Sequence, residues 1–225
     1  QAANFVNNSI KLTDATMKTV VLTGAATTTT LAFAGTNGTN ATAGGGAVNL
    51  IDGSALTGSL VVDLTGLTVD NGALGLTVKG GTGKDEVTTA NITSVVFGGA
   101  GADTFIVASN AGVLPTVTIG DLASGDKVDL AGTIAAAGNL GTAVNVSAAT
   151  SLATALEIAN GSAGTSATSI LYWFQFAGNT YLMSDLPTAG PVSGNVDSTD
   201  NIVKITGLVD LTGSAFTTAA VVTVA

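Results

Sequence analysis

Cysteine, histidine and arginine are all missing from this 225-residue chain. Without cysteine no disulfide can form, so covalent staples are excluded as a source of stability. The joint lack of His and Cys removes the usual donors for zinc and iron. It also removes the ordinary serine and cysteine triads. Ser–Lys pairs and paired carboxylates stay chemically open, but no cleft-like motif accompanies them. No G-x-x-x-x-G-K-S/T phosphate loop occurs either, so an enzyme is not expected. Charge is scarce: 9% of residues, with six Lys against fifteen Asp and Glu and a formal charge of −9. About a quarter is usual for an ordinary domain. The acidic balance argues against nucleic acid and anionic membrane surfaces as partners. A long apolar helix is missing too. The uncharged stretch between Asp129 and Glu157 is interrupted by Asn139, Asn145 and several Gly, Ser and Thr, so no membrane insertion is expected. The chain opens at Gln1 without a charged, apolar leader, which reads as the C-terminal part of a longer polypeptide in preference to a chain whose leader was removed.

What is present is apolar and small. At 46% apolar residues the chain is not of the disordered class. Thr, Ala, Gly, Val and Ser dominate, which suits stacked β-structure. Eight of the fifteen acids lie between Asp63 and Asp129. That region holds Gly80-Gly81-Thr82-Gly83-Lys84-Asp85-Glu86-Val87 and Gly98-Gly99-Ala100-Gly101-Ala102-Asp103-Thr104-Phe105. Both read G-G-x-G-x-D-x-U with U a large apolar residue, and their starts are 18 residues apart, two units of nine. On that grid position eight falls on Val87, Val96, Phe105 and Leu114, all apolar, as a continuous core stripe needs. Position six falls on Asp85, Ser94, Asp103, Gly112 and Asp121, a carboxylate at every second unit. In a coil of two nine-residue halves, Asp85, Asp103 and Asp121 would stack on one edge about 4.8 Å apart. Bare, such a column repels itself; a hard cation between the turns makes it attractive. Glycine lets the loop carbonyls turn toward the ion. Oxygen-only donors in a flexible shell suit Ca²⁺ better than Mg²⁺. The alternative is a glycine-rich surface loop pair with solvated aspartates.

The two copies resemble the repeats of the RTX (repeat-in-toxin) calcium-binding β-roll family. The resemblance implies an all-β fold, a right-handed parallel β-roll or β-solenoid. Irregular β-rich rungs would fill 1–79, the calcium roll 80–130, and a C-terminal β-rich cap with one short helix 131–225. The implied ligands of Ca²⁺ are Gly80, Thr82, Asp85, Gly98, Ala100, Gly101, Asp103 and Asp121. The run Val117-Thr118-Ile119-Gly120-Asp121-Leu122, continuing to Gly125-Asp126-Lys127-Val128-Asp129-Leu130, is similar to the segment that ends such rolls, with Leu122 where an aromatic is usual. There Asp121 would close the last ion site, while Asp126 and Asp129 read as turn residues in preference to groups that support the ion's ligands.

Elsewhere, Thr19–Thr23, Thr30–Phe33 and Ser59–Leu64 are strand-like, parted by clusters such as Gly35–Asn40. Asp52, Asp63 and Asp70 read as turn-capping residues in preference to ligands of further ions. Ala149–Ile158 predicts a helix, ended by Gly161. Ile170–Phe176 and Thr180–Asp185 around Ala177-Gly178-Asn179 predict a hairpin. It gathers the only Trp and both Tyr, a core plug over the end of a solenoid in preference to a carbohydrate platform. This hairpin and Asp200–Leu211 look like the C-terminal part of crystalline surface-layer proteins of Gram-negative bacteria, of the Caulobacter type. In that family the region also carries the address for type I secretion. The resemblance spans roughly Asn49 to Ala225. It implies a secreted, cell-surface, calcium-dependent structural protein whose partners are copies of itself in a lattice or sheet. Cell-surface polysaccharide is a second candidate partner. Two other functions stay open: the calcium roll and secretion module of a secreted hydrolase, and a glycan-binding adhesin.

Overall fold

The computed structural model describes residues 7–12, 18–33, 48–67, 75–107, 114–130, 137–163, 170–185, 196 and 200–225. Among these the chain is mostly β, with one short helix and with parallel strands in two sheets. Its contacts divide it into two compact units, Gln1–Ile106 and Val107–Ala225. The Gly35–Asn40 cluster, Asp70 and Gly112 lie outside the described residues.

Nine strands follow one another in the first unit. They are β1 (Asn7–Leu12), β2 (Thr19–Gly24), β3 (Thr28–Phe33), β4 (Leu50–Leu56), β5 (Ser59–Asp63), β6 (Leu76–Lys79), β7 (Glu86–Thr88), β8 (Ser94–Phe97) and β9 (Thr104–Ile106). Odd-numbered strands pair in one sheet and even-numbered strands in the other, each parallel to the next but one. The cause is period-two patterning: in β3, Thr29, Leu31 and Phe33 are buried while Thr28, Thr30 and Ala32 are half-exposed. β-Branched Thr at 28, 29 and 30 stiffens the backbone toward the extended form.

Register lines the buried residues into two columns. Val20 pairs with Ile51, Ile51 with Val78 and Val78 with Val96, at offsets of 31, 27 and 18 residues. Leu31 pairs with Val62, Val62 with Val87 and Val87 with Phe105, at offsets of 31, 25 and 18. Nearly all of these side chains are fully buried. Each contributes about 1.5–3 kcal/mol relative to exposure, so the columns, not the polar loops, carry the unit. The 18-residue step is thus confined to the last two passes, and earlier passes are longer. The expected stripe ends at Phe105: Leu114 is 49% exposed. The buried apolar residues near it are instead Val117 and Ile119, which are set by the strand they share.

The second unit is built differently. β10 (Val117–Ile119) and β11 (Lys127–Asp129) lead to the two-residue β12 (Gly138–Asn139), then helix α1 (Leu152–Ala163). The antiparallel hairpin of β13 (Ile170–Phe176) and β14 (Asn179–Asp185) follows, then β15 (Asn201–Ile205), β16 (Ala215–Phe216) and β17 (Val221–Thr223). β14 pairs antiparallel with β15, which pairs parallel with β10; β17 joins β11 to β16. α1 starts later than its sequence suggests, where the Ser151 hydroxyl accepts the Thr154 N–H at 3.2 Å. It runs through Gly161 rather than stopping there. Leu152, Ala155, Leu156 and Ala159 recur at helical spacing and pack on Tyr172, Phe174, Tyr181, Met183 and Ile202, and this packing overrides the weak glycine stop. The hairpin turn is two residues, Ala177 (φ 47°) and Gly178 (φ 78°), with Asn179 already in the strand. Its rings are buried: Tyr172 7%, Trp173 4%, Tyr181 4% and Phe174 0% exposed. Tyr172, Phe174 and Tyr181 pack in the core beneath α1, while the Trp173 Nε1–H donates to the Gly141 carbonyl at 2.8 Å.

Candidate metal centre

Three connections stack at one edge of the first unit: 56–60, from the end of β4 into β5, 80–85 before β7 and 98–103 before β9. Backbone hydrogen bonds join them. The Thr82 N–H donates to the Leu56 carbonyl at 3.1 Å, and the Ala100 N–H to the Gly81 carbonyl at 3.0 Å. Glycine is needed for this closeness. A Cβ on Gly81 would strike the Leu56 carbonyl, and one on Gly99, whose φ is +91°, would strike the Gly81 carbonyl.

The aspartates bind between loops. Asp85 Oδ1 accepts the Leu60 N–H at 2.7 Å, and its Oδ2 the Gly81 N–H at 2.5 Å. Asp103 Oδ1 accepts the Asp85 N–H at 2.8 Å, 18 residues back. Asp85 is 2% and Asp103 1% exposed, which overturns the alternative of solvated loop aspartates. Burial pushes the Asp85 carboxyl above the usual carboxylate range, against the pull of the Leu60 and Gly81 N–H groups. The Asp85 carboxylate therefore sits where charge is costly, held by amides that favour the charge.

Seven of the eight residues expected as ligands meet here. Gly80, Gly98, Asp85 and Asp103 are buried, while Thr82, Ala100 and Gly101 lie on the exposed outer turn. The eighth, Asp121, is half-buried on the bend after β10 in the second unit. Asp126 is the turn residue it was expected to be: its Oδ2 accepts the Ala123 N–H at 2.8 Å. Asp129 lies within β11 rather than in a turn, paired with Val221. Asp63 caps a turn by accepting the Thr65 N–H at 2.9 Å. Asp52, expected in a turn, lies inside β4 and binds the Ser54 N–H and hydroxyl.

A calcium ion here would meet only oxygen donors. The missing Cβ atoms of Gly80 and Gly98 let the loop backbone press against the Asp85 and Asp103 carboxylates, with the Gly98 carbonyl beside Gly80 as well. No group of three or more His, Cys, Asp or Glu side chains forms among the described residues. A cation here must draw most of its donors from backbone oxygen, which Ca²⁺ accepts. Loop 56–60 was not foreseen, because it lacks the G-G-x-G-x-D pattern. Its only signal is Gly58, whose missing Cβ makes room for the Ala26 carbonyl. In comparisons with known proteins, no family model matches the chain and no curated protein matches it.

Proposed function

We propose that the chain is a secreted, calcium-dependent structural protein, folded in its first part as an RTX-type β-roll and assembling with copies of itself into a cell-surface layer. The observation that carries the reading is the pair of buried aspartates, 18 residues apart, set between stacked glycine loops. Bound calcium would supply positive charge that offsets the buried carboxylates. Asp85 and Asp103 would hold it with the loop carbonyls of Gly80, Thr82, Gly98, Ala100 and Gly101. Weak sites of this kind load at about 10⁻⁴–10⁻³ M, an extracellular concentration, so folding would wait for export. The resemblance to surface-layer proteins supports lattice assembly and type I secretion.

The hydrogen bonds to Leu60, Gly81 and Asp85 also favour a second reading, a metal-free ladder in which each carboxylate caps the strand below. Circular dichroism and light scattering with chelator and with millimolar calcium decide between them. Ordering and association that appear together on adding calcium support the first. A chain fully ordered in chelator and unchanged by calcium leaves only the ladder.

A further inference from the structure

The second unit holds an open cleft of about 410 Å³, a volume within the range of small-molecule sites. One wall is the 143–149 segment that leads toward α1; the other is the end of the hairpin at 175–177. The first wall meets β13 at a bridge between Val144 and Phe174, where the Val144 N–H donates to the Trp173 carbonyl at 2.9 Å. Beyond the bridge the chain turns. Asn145 Oδ1 accepts the Ser147 N–H at 3.0 Å, and the Ala149 N–H donates to the Val146 carbonyl at 2.9 Å. Val146 is buried and packs in the core beneath α1, which holds this wall in place.

The lining is mixed and carries no charge among the described residues. Phe176 supplies a half-buried ring, whereas Tyr172, Trp173, Phe174 and Tyr181 of the same hairpin are buried. Two amides at the cleft are each held by one end. Asn145 gives Oδ1 to a backbone N–H, which fixes the amide and leaves Nδ2 to donate. Gln175 gives Nε2 to the Val209 carbonyl at 3.2 Å, which leaves Oε1 to accept. Ser147 adds an exposed hydroxyl that can do both. A phosphate, carboxylate or ammonium group would find no counter-charge in this lining. An aliphatic ligand would strand the amides without partners. A sugar ring meets both demands, with hydroxyls that donate and accept and C–H groups for the aromatic side chain.

We propose that this cleft binds one ring of a neutral saccharide, with Phe176 against its C–H groups and Asn145, Ser147 and Gln175 on its hydroxyls. The site rests on neither the calcium reading nor self-assembly.

The test is a titration of the ¹⁵N-labelled full chain, in millimolar calcium, with the methyl glycosides of glucose, galactose and mannose. At least one should shift the amide signals of 144–147 and 175–177 saturably. Asn145→Ser keeps a hydroxyl for the Ser147 N–H and deletes the amide donor. Phe176→Leu keeps apolar bulk and deletes the ring. Each should weaken binding about tenfold, with near-ultraviolet dichroism of Trp173 confirming the fold. The matching uronate should bind more weakly than the neutral glycoside, because the chain carries a charge of −9 and the cleft offers no cation. Tighter binding of the matching disaccharide would place the ring within a polymer, and equal binding would mark a free sugar. Cleft signals unmoved by every glycoside, undiminished binding by both folded variants, or equal shifts from the neutral peptide acetyl-Ala-Ser-Ala-amide would overturn the site.

Discussion

Replacing Asp103 separates its hydrogen bond from its charge. Asp103→Ala deprives the buried Asp85 N–H of its acceptor at 2.8 Å. A buried donor left unsatisfied costs about 1–3 kcal/mol, and that loss occurs with or without calcium. An ion that binds only the folded chain adds about 2.7 kcal/mol at a hundredfold excess over its Kd, and the variant loses this as well. The expected penalty is therefore about 1–3 kcal/mol in chelator and about 4–6 kcal/mol in saturating calcium. Asp103→Asn retains an oxygen facing Asp85, so it should cost less than Asp103→Ala in chelator yet lose the whole calcium increment. Urea unfolding followed by far-ultraviolet dichroism, in chelator and at fixed calcium, measures all three chains. Equal penalties in the two media for both variants would refute the reasoning and leave Asp103 as a hydrogen-bond acceptor alone.

Phe105→Ala should cost about 3–5 kcal/mol in urea unfolding, the same in chelator as in calcium, because it empties the column rather than the loops. Gly98→Ala drives a Cβ into the Asp103 carboxylate and should weaken calcium binding in a titration. Gly207→Ala, at φ +85° with open space around it, should cost about 1 kcal/mol and leave binding alone. The pH dependence of Asp85 should change sign with metal. In chelator its raised folded-state pKa means stability is fully present below the ordinary value of 3.8 and lost as pH rises through the raised value. The stability difference between the natural chain and Asp85→Asn should therefore fall with rising pH. In saturating calcium the carboxylate is favoured, and the same difference should grow. A slope of one sign in both media contradicts this.

The 18-residue grid was legible because glycine and aspartate at fixed spacing leave few alternatives. It correctly paired Val87 with Phe105. It failed where the chain leaves the grid. The 25- and 27-residue offsets that place loop 56–60 beneath Gly80 arise from longer connections, which carry no periodic signal. The same loss of register puts Leu114 at the surface. Burial of Asp85 was missed for another reason. A carboxylate that replaces a carbonyl as acceptor of a strand N–H looks, in sequence, like any turn aspartate. In the second unit, hairpin and helix were readable from the Ala177-Gly178 turn and the spacing of Leu152 and Leu156.

The account rests on calcium held between the loops that carry Asp85 and Asp103. Equilibrium dialysis of calcium against the natural chain and Asp85→Asn/Asp103→Asn tests it most directly. The natural chain should bind calcium in the millimolar range or tighter, and the folded double variant should bind fewer ions. Equal binding by both chains, or none by the natural chain, would contradict it.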